Sequence, residues 1–262
     1  MDSLFSRTFH KGPGPSRLFI GGVHGKEGET TFHALKSFDD RALNSGELYL
    51  YNFPPSPYIS TLERRYYDSS TGREVLNLIK KIQPTIYLEL HCYHEKNRSH
   101  LIHHDRKIKI GVPPLVELDK GVLIGSVSPI IRSVFFENYD FPFILEIPCQ
   151  PSDDSLQVYV EVLNITAGSK NRIEILKKLE LLYPHQVIKL NKYFIDFSDN
   201  FLTLFQKTRE FALNGDLKDS DDLILFMENL MQELDLNLNQ IQLKQVRAAV
   251  LIFLDYKHPS VV

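Results

Sequence analysis

The chain has 262 residues, 43% of them hydrophobic and 24% charged, with a formal net charge of -3. It is long enough to bury a full core, has an ordinary soluble composition, and gives no electrostatic ground for a nucleic-acid or anionic-membrane partner. No apolar run reaches the roughly 18 residues of a membrane span, and residues 1–17 lack the apolar stretch of a signal peptide, so the expected location is cytoplasmic.

Residues 1–15 end in the breaker cluster Lys11-Gly12-Pro13-Gly14-Pro15 and read as a flexible lead-in. An apolar strand over 18–23 then runs into a turn punctuated by Gly21, Gly22, Gly25 and Gly28. The glycines let the backbone turn sharply and keep the space above it open, so His24 and Glu27 converge on one point. Residues 30–38 carry Phe32, Leu35 and Phe38 at the spacing of a short amphipathic helix, and 47–51 is β-prone until Asn52 and Pro54 stop it. Residues 72–82 place Val75, Leu76, Leu78, Ile79 and Ile82 on one helical face, closed by Pro84. A second strand, 85–91, ends like the first in a histidine, His91.

Two further β-prone runs cover 121–127 and 141–147, the latter apolar except for Glu146. An ionised carboxylate in such a strand needs a positive or hydrogen-bonding partner, unless it points into water at the strand end. Alternating strands and helices predict an α/β layer fold with its site at the carboxyl ends of the strands. From residue 151 the pattern is mostly helical, with segments at 153–164, 169–182 (ended by Pro184), 200–213, 220–234 and 239–254. The expected organisation is an α/β catalytic domain over 16–168 and a mainly helical C-terminal extension over 169–262 packed on it.

His24, Glu27 and His91 form a set of two imidazoles and one carboxylate. Two close ligands and a distant third leave one coordination position open, the arrangement of catalytic zinc at one ion per chain. Glu146 then has the role of general base. Glu89, two residues before His91 and on the same strand face, is placed to accept the free ring N–H of that ligand. His94 falls in a loop, and His100, His103 and His104 read as a solvated face. Cys92 and Cys149 are too few for a disulfide framework, fit a reducing compartment and read as small buried packing residues.

Gly22-Val23-His24-Gly25-Lys26-Glu27, Glu89-Leu90-His91 and Phe143-Ile144-Leu145-Glu146-Ile147, in that order, resemble the zinc carboxypeptidase-like hydrolases. The likeness is to the aspartoacylase and succinylglutamate desuccinylase branch, and also to a small uncharacterised archaeal family placed in the same superfamily. It implies a carboxypeptidase-like three-layer fold with a mixed, largely parallel sheet. It also implies a small-molecule or short-peptide substrate, with zinc-dependent cleavage of an amide bond in a small N-acylated amino acid or similar carboxylate. A carboxypeptidase acting on peptide C-termini is the close alternative. Arg64 stands where the branch has a substrate-binding and oxyanion-binding arginine, with Arg65 beside it, but Glu63 replaces the asparagine that should precede it. Arg132 is the candidate for a second anion contact. Two other readings stay open: a mononuclear iron oxygenase, which uses the same donor set, and a non-catalytic metal-binding interaction module, which Glu63 favours.

Overall fold

The structure is a computed structural model and describes residues 5–214 and 220–257. Its strands are β1 (Phe5–Lys11), β2 (Ser16–Gly21), β3 (Gly46–Asn52), β4 (Ile86–Tyr93), β5 (Val116–Asp119), β6 (Val122–Ser126) and β7 (Phe141–Pro148). They form one mixed sheet in the order β1-β3-β2-β4-β7-β6-β5. The central strands β3, β2, β4 and β7 run parallel, and β1 and β6 pair antiparallel with the outer two. The three strands expected to carry the chemistry, β2, β4 and β7, are therefore neighbours whose carboxyl ends lie side by side.

The helices are α1 (Gly28–Lys36), α2 (Arg64–Asp68), α3 (Ser70–Ile82), α4 (Arg98–Ile102), α5 (Arg106–Ile110), α6 (Pro129–Phe135) and α7 (Asp153–Ala167). They continue as α8 (Arg172–Leu182), α9 (Pro184–Asp196), α10 (Thr203–Leu213), α11 (Ser220–Glu233) and α12 (Gln240–Lys257), with a π-helical turn, Phe197–Leu202, joining α9 to α10. One sheet face is covered by α1, α7 and α8 through residues such as Leu35, Tyr159 and Leu179. The other is covered by α3, α6, α10 and α12 through residues such as Leu76, Ile131, Phe205 and Val250. The helical C-terminal region thus contributes to both layers. None of the described helices is long and apolar enough to cross a membrane.

Two local expectations change. The lead-in contains an edge strand: β1 pairs with β3, and its Phe5 and Phe9 rings pack on Phe32 and Phe38 beside α1, so the breaker cluster is the turn that follows a strand. Pro184 does not merely end α8 but opens α9 at its first position, where the missing N–H costs nothing and the fixed φ suits a helix.

In β4 every residue is buried, and the pleat alternates them between layers. Tyr87 packs into the α3–α6 layer with Glu89 and His91 in phase with it, while Leu88, Leu90 and Cys92 face the other. Parallel register sets Glu146 of β7 beside His91. One polar stripe therefore crosses two adjacent strands inside an apolar layer.

Candidate metal centre

The turn after β2 is shaped by close backbone approach. Gly22 has φ of +69°, and a Cβ there would lie 2.4 Å from the Phe53 carbonyl, as would one on Gly28. Asn52 locks this corner: its amide donates to the Gly28 carbonyl at 3.0 Å, and its oxygen accepts from the Thr31 hydroxyl at 2.7 Å. Glu27 occupies the N-cap position of α1 without using its side chain as a cap, which leaves the carboxylate to turn toward the strand ends.

There it meets the two histidines. Glu27 Oε2 lies 3.1 Å from His91 Nδ1 and 3.6 Å from His24 Nδ1, and one donor atom from each residue falls within 4.8 Å of the others. His91 Nε2 is 3.3 Å from Glu89 Oε2, and Glu89 Oε1 accepts the Tyr87 hydroxyl at 2.8 Å. A ring whose Nε2–H is held by a carboxylate presents Nδ1 as its lone-pair donor. His24 Nδ1 is buried without a hydrogen-bond partner. A buried nitrogen left in this way is costly unless something binds it. The donor set therefore fits a metal ion held by His24 Nδ1, Glu27 Oε2 and His91 Nδ1.

The electrostatics agree. Burial lowers the pKa of His24 to about 4, against the pull of Glu27, so the ring is neutral at physiological pH and has a lone pair to offer. Burial also works to lower that of His91, but Glu27, Glu89 and Glu146 together outweigh it and hold it well above the ordinary histidine value. The surrounding carboxylates call for a positive charge at His91, which a proton or a cation can supply. Glu146 is enclosed by protein but borders a cavity; this desolvation raises its pKa to about 7, with the charges of His91 and then Glu27 acting in opposite senses.

The cavity holds about 790 Å³, and His24, Glu27, His91 and Glu146 line one end. Tyr58, largely exposed, sets its ring edge-on to His24 at 4.6 Å. Arg106 of α5 also lines this end. One of its terminal nitrogens donates to the Pro113 carbonyl at 2.6 Å, and its buried Nε has no partner. Burial lowers its pKa, opposed by the charge of Glu146. No sequence motif marks it; the 111–115 loop meets its guanidinium through the Pro113 carbonyl.

The expected arginines behave differently. Arg64 pairs with Asp255 of α12 at 3.0 Å, and Arg65 with Glu63 at 2.6 Å; neither lines the cavity. The structure does not gather them with the centre: Arg64 turns toward α12, and Arg65 lies exposed beside Glu63. Arg132 does line the cavity, but at its far end, donating to the Pro142 carbonyl at 3.1 Å. His103, His104 and Asp105 gather on the surface, where the Asp105 N–H already occupies His103 Nδ1 at 3.2 Å. Cys92 and Cys149 form a disulfide, correcting the expectation of two separate packing residues. Parallel pairing of β4 and β7 carries their Cα atoms to 4.9 Å, and the cysteine count no longer argues for a reducing compartment.

Fold and cluster define an α/β protein with a candidate centre of two histidines and one glutamate. The chain belongs to the family described as "Uncharacterized protein conserved in archaea (DUF2119)", whose model matches residues 12–199, a stretch that contains every residue of the centre. It is similar to "Uncharacterized protein MJ0501" of Methanocaldococcus jannaschii, with 39% identity over 184 residues, 68% of this chain and 89% of the relative. This match corrects the placement in the aspartoacylase and succinylglutamate desuccinylase branch: the family shown is the archaeal one. No solved structure gives a significant match.

Proposed function

We propose that the protein is a zinc-dependent hydrolase that cleaves an amide bond in an acylated amino acid or similar small carboxylate. The observation that carries this reading is the convergence of His24 Nδ1, Glu27 Oε2 and His91 Nδ1 beside a carboxyl, Glu146, whose pKa of about 7 suits proton transfer near neutral pH. An ion held there supplies Lewis-acid polarisation of a carbonyl and acidifies water. Glu146 takes the proton from the attacking water and returns it to the leaving amine. Glu89 holds His91 in the required tautomer. Arg106 offers its fork to a substrate carboxylate or to the developing oxyanion, the role expected of Arg64, which pairs with Asp255 outside the cavity lining. Glu146 also favours hydrolysis over iron oxygenase chemistry, which has no use for a poised carboxyl at this position.

The test pairs metal analysis with turnover. Protein purified without added metal should contain about one zinc per chain, with marked loss in His91→Ala. Zinc-loaded protein should hydrolyse at least one member of a panel of N-acyl amino acids and dipeptides. Glu146→Gln should retain zinc and lose that activity, whereas Arg106→Gln should raise KM more than it lowers kcat for carboxylate substrates. Metal binding without any turnover would favour the non-catalytic reading, and iron with oxygen-dependent turnover the oxygenase.

A further inference from the structure

The cavity extends well beyond the metal centre. From Glu146 it follows β6 and β7 toward the amino end of β7, walled by apolar side chains such as Leu115, Ile144, Phe143 and Phe197, and reaches Arg132 and Arg172. Arg132 bonds the Pro142 carbonyl, four residues before Glu146 on β7, so at about 3.3 Å per residue the far end lies about 13 Å from the general base. A small N-acyl amino acid fills only part of this space.

The far end is polar and cationic. Arg132 is 7% exposed, and among the described residues its guanidinium makes a single hydrogen bond, the one to Pro142. Its guanidinium lies 5.0 Å from the centre of the Phe194 ring, and that of Arg172 lies 3.6 Å from the same ring while donating to the Asn138 carbonyl at 3.2 Å. Neither arginine forms a carboxylate ion pair among the described residues. Like charges so placed repel, and the ring faces offset only part of that. Asp140 acts on Arg132 electrostatically, with one oxygen accepting the Glu137 N–H at 2.8 Å. The balance is close to one positive charge, which matches a carboxylate rather than a doubly charged phosphate.

We infer that Arg132 and Arg172 form a distal subsite for a carboxylate, and that the substrate is an extended molecule with an apolar chain between this carboxylate and the reacting amide. The inference rests on the hydrolase reading for the reacting end alone. Calorimetric titration of zinc-supplemented protein with sebacic, decanoic and glutaric acids tests it. Sebacic acid should bind about ten-fold more tightly than decanoic acid, as a second charge-assisted contact predicts, and glutaric acid, too short to span the cavity, should lack that advantage. Arg172→Leu, at a half-exposed position, should abolish the preference and leave decanoic acid binding unchanged. Equal binding of sebacic and decanoic acids by the parent overturns the subsite, as does weak binding of both or a preference that survives in Arg172→Leu. A preference for sebacic acid in a protein without hydrolytic activity would keep the subsite and remove the hydrolase. Glu146-dependent turnover of short amides without the preference would do the reverse.

Discussion

Replacing Glu89 by Gln isolates what this buried carboxylate does for the proposed metal centre. Glu89 is 1% exposed and touches His91 Nε2 at 3.3 Å and the Tyr87 hydroxyl at 2.8 Å, so the substitution keeps the shape and removes one negative charge. Loss of such a partner behind a ligand histidine lowers metal affinity about 10–100-fold, or about 1.4–2.7 kcal/mol. Proton competition works against this. Without metal, His91 holds a proton well above the ordinary histidine pKa, partly because of Glu89, and zinc must displace it. The variant competes with a less firmly held proton, so its deficit shrinks at pH 6 and approaches the full value at pH 9. Competitive titration with a chelator of known affinity at both pH values measures the difference, and Tyr87→Phe, which keeps the charge, should change affinity less. Equal zinc affinity of parent and Glu89→Gln at pH 9 would refute the role given to Glu89.

Glu146→Gln should stabilise the metal-free protein in alkaline solution. Its carboxyl pKa is raised by burial to about 7, so the folded state holds the proton more firmly, and stability falls as pH rises from the unfolded value toward 7. Urea unfolding should show the variant ahead by about 1–3 kcal/mol at pH 8 and level with the parent at pH 4.5, the range allowing for screening through the cavity; equal stability at both would refute the shift. The Cys92–Cys149 bond closes a loop with a sequence separation of 57, so reductant should cost the parent about 2–4 kcal/mol. The same reductant should leave a Cys92→Ala/Cys149→Ala variant unmoved. Arg17 is fully buried and donates to the carbonyls of Pro15, Ser45 and Ser169, so Arg17→Ala should destabilise by about 3 kcal/mol or more in urea.

The centre was readable because its parts are local. A histidine ending an apolar strand, a second one two residues after a glutamate, and a lone carboxyl in a buried strand each break the pattern around them. Periodicity also marked β2, β3, β4, β6 and β7 and most long helices. What escaped depends on contacts between distant segments. Arg64 occupies a plausible sequence position, but its partner, Asp255, is 191 residues away. Arg106 sits in a five-residue helix with no fully buried residue, and its guanidinium meets a partner, the Pro113 carbonyl, only in the loop that follows. β1 is largely exposed, and only its pairing with β3 makes it a strand. The disulfide needed the register of β4 against β7, which neither strand specifies alone.

That register also ties candidate ligand and cross-link together. His91 and Cys92 are consecutive, so the pleat sends one toward Glu27 and the other into the opposite layer, against Cys149. Inserting or deleting one residue upstream in β4 would exchange them, putting sulfur into the cluster of carboxylates and imidazole into the apolar layer. The length of this strand is therefore held by two unlike chemistries at once, and indels in β4 should be tolerated far less well than substitutions.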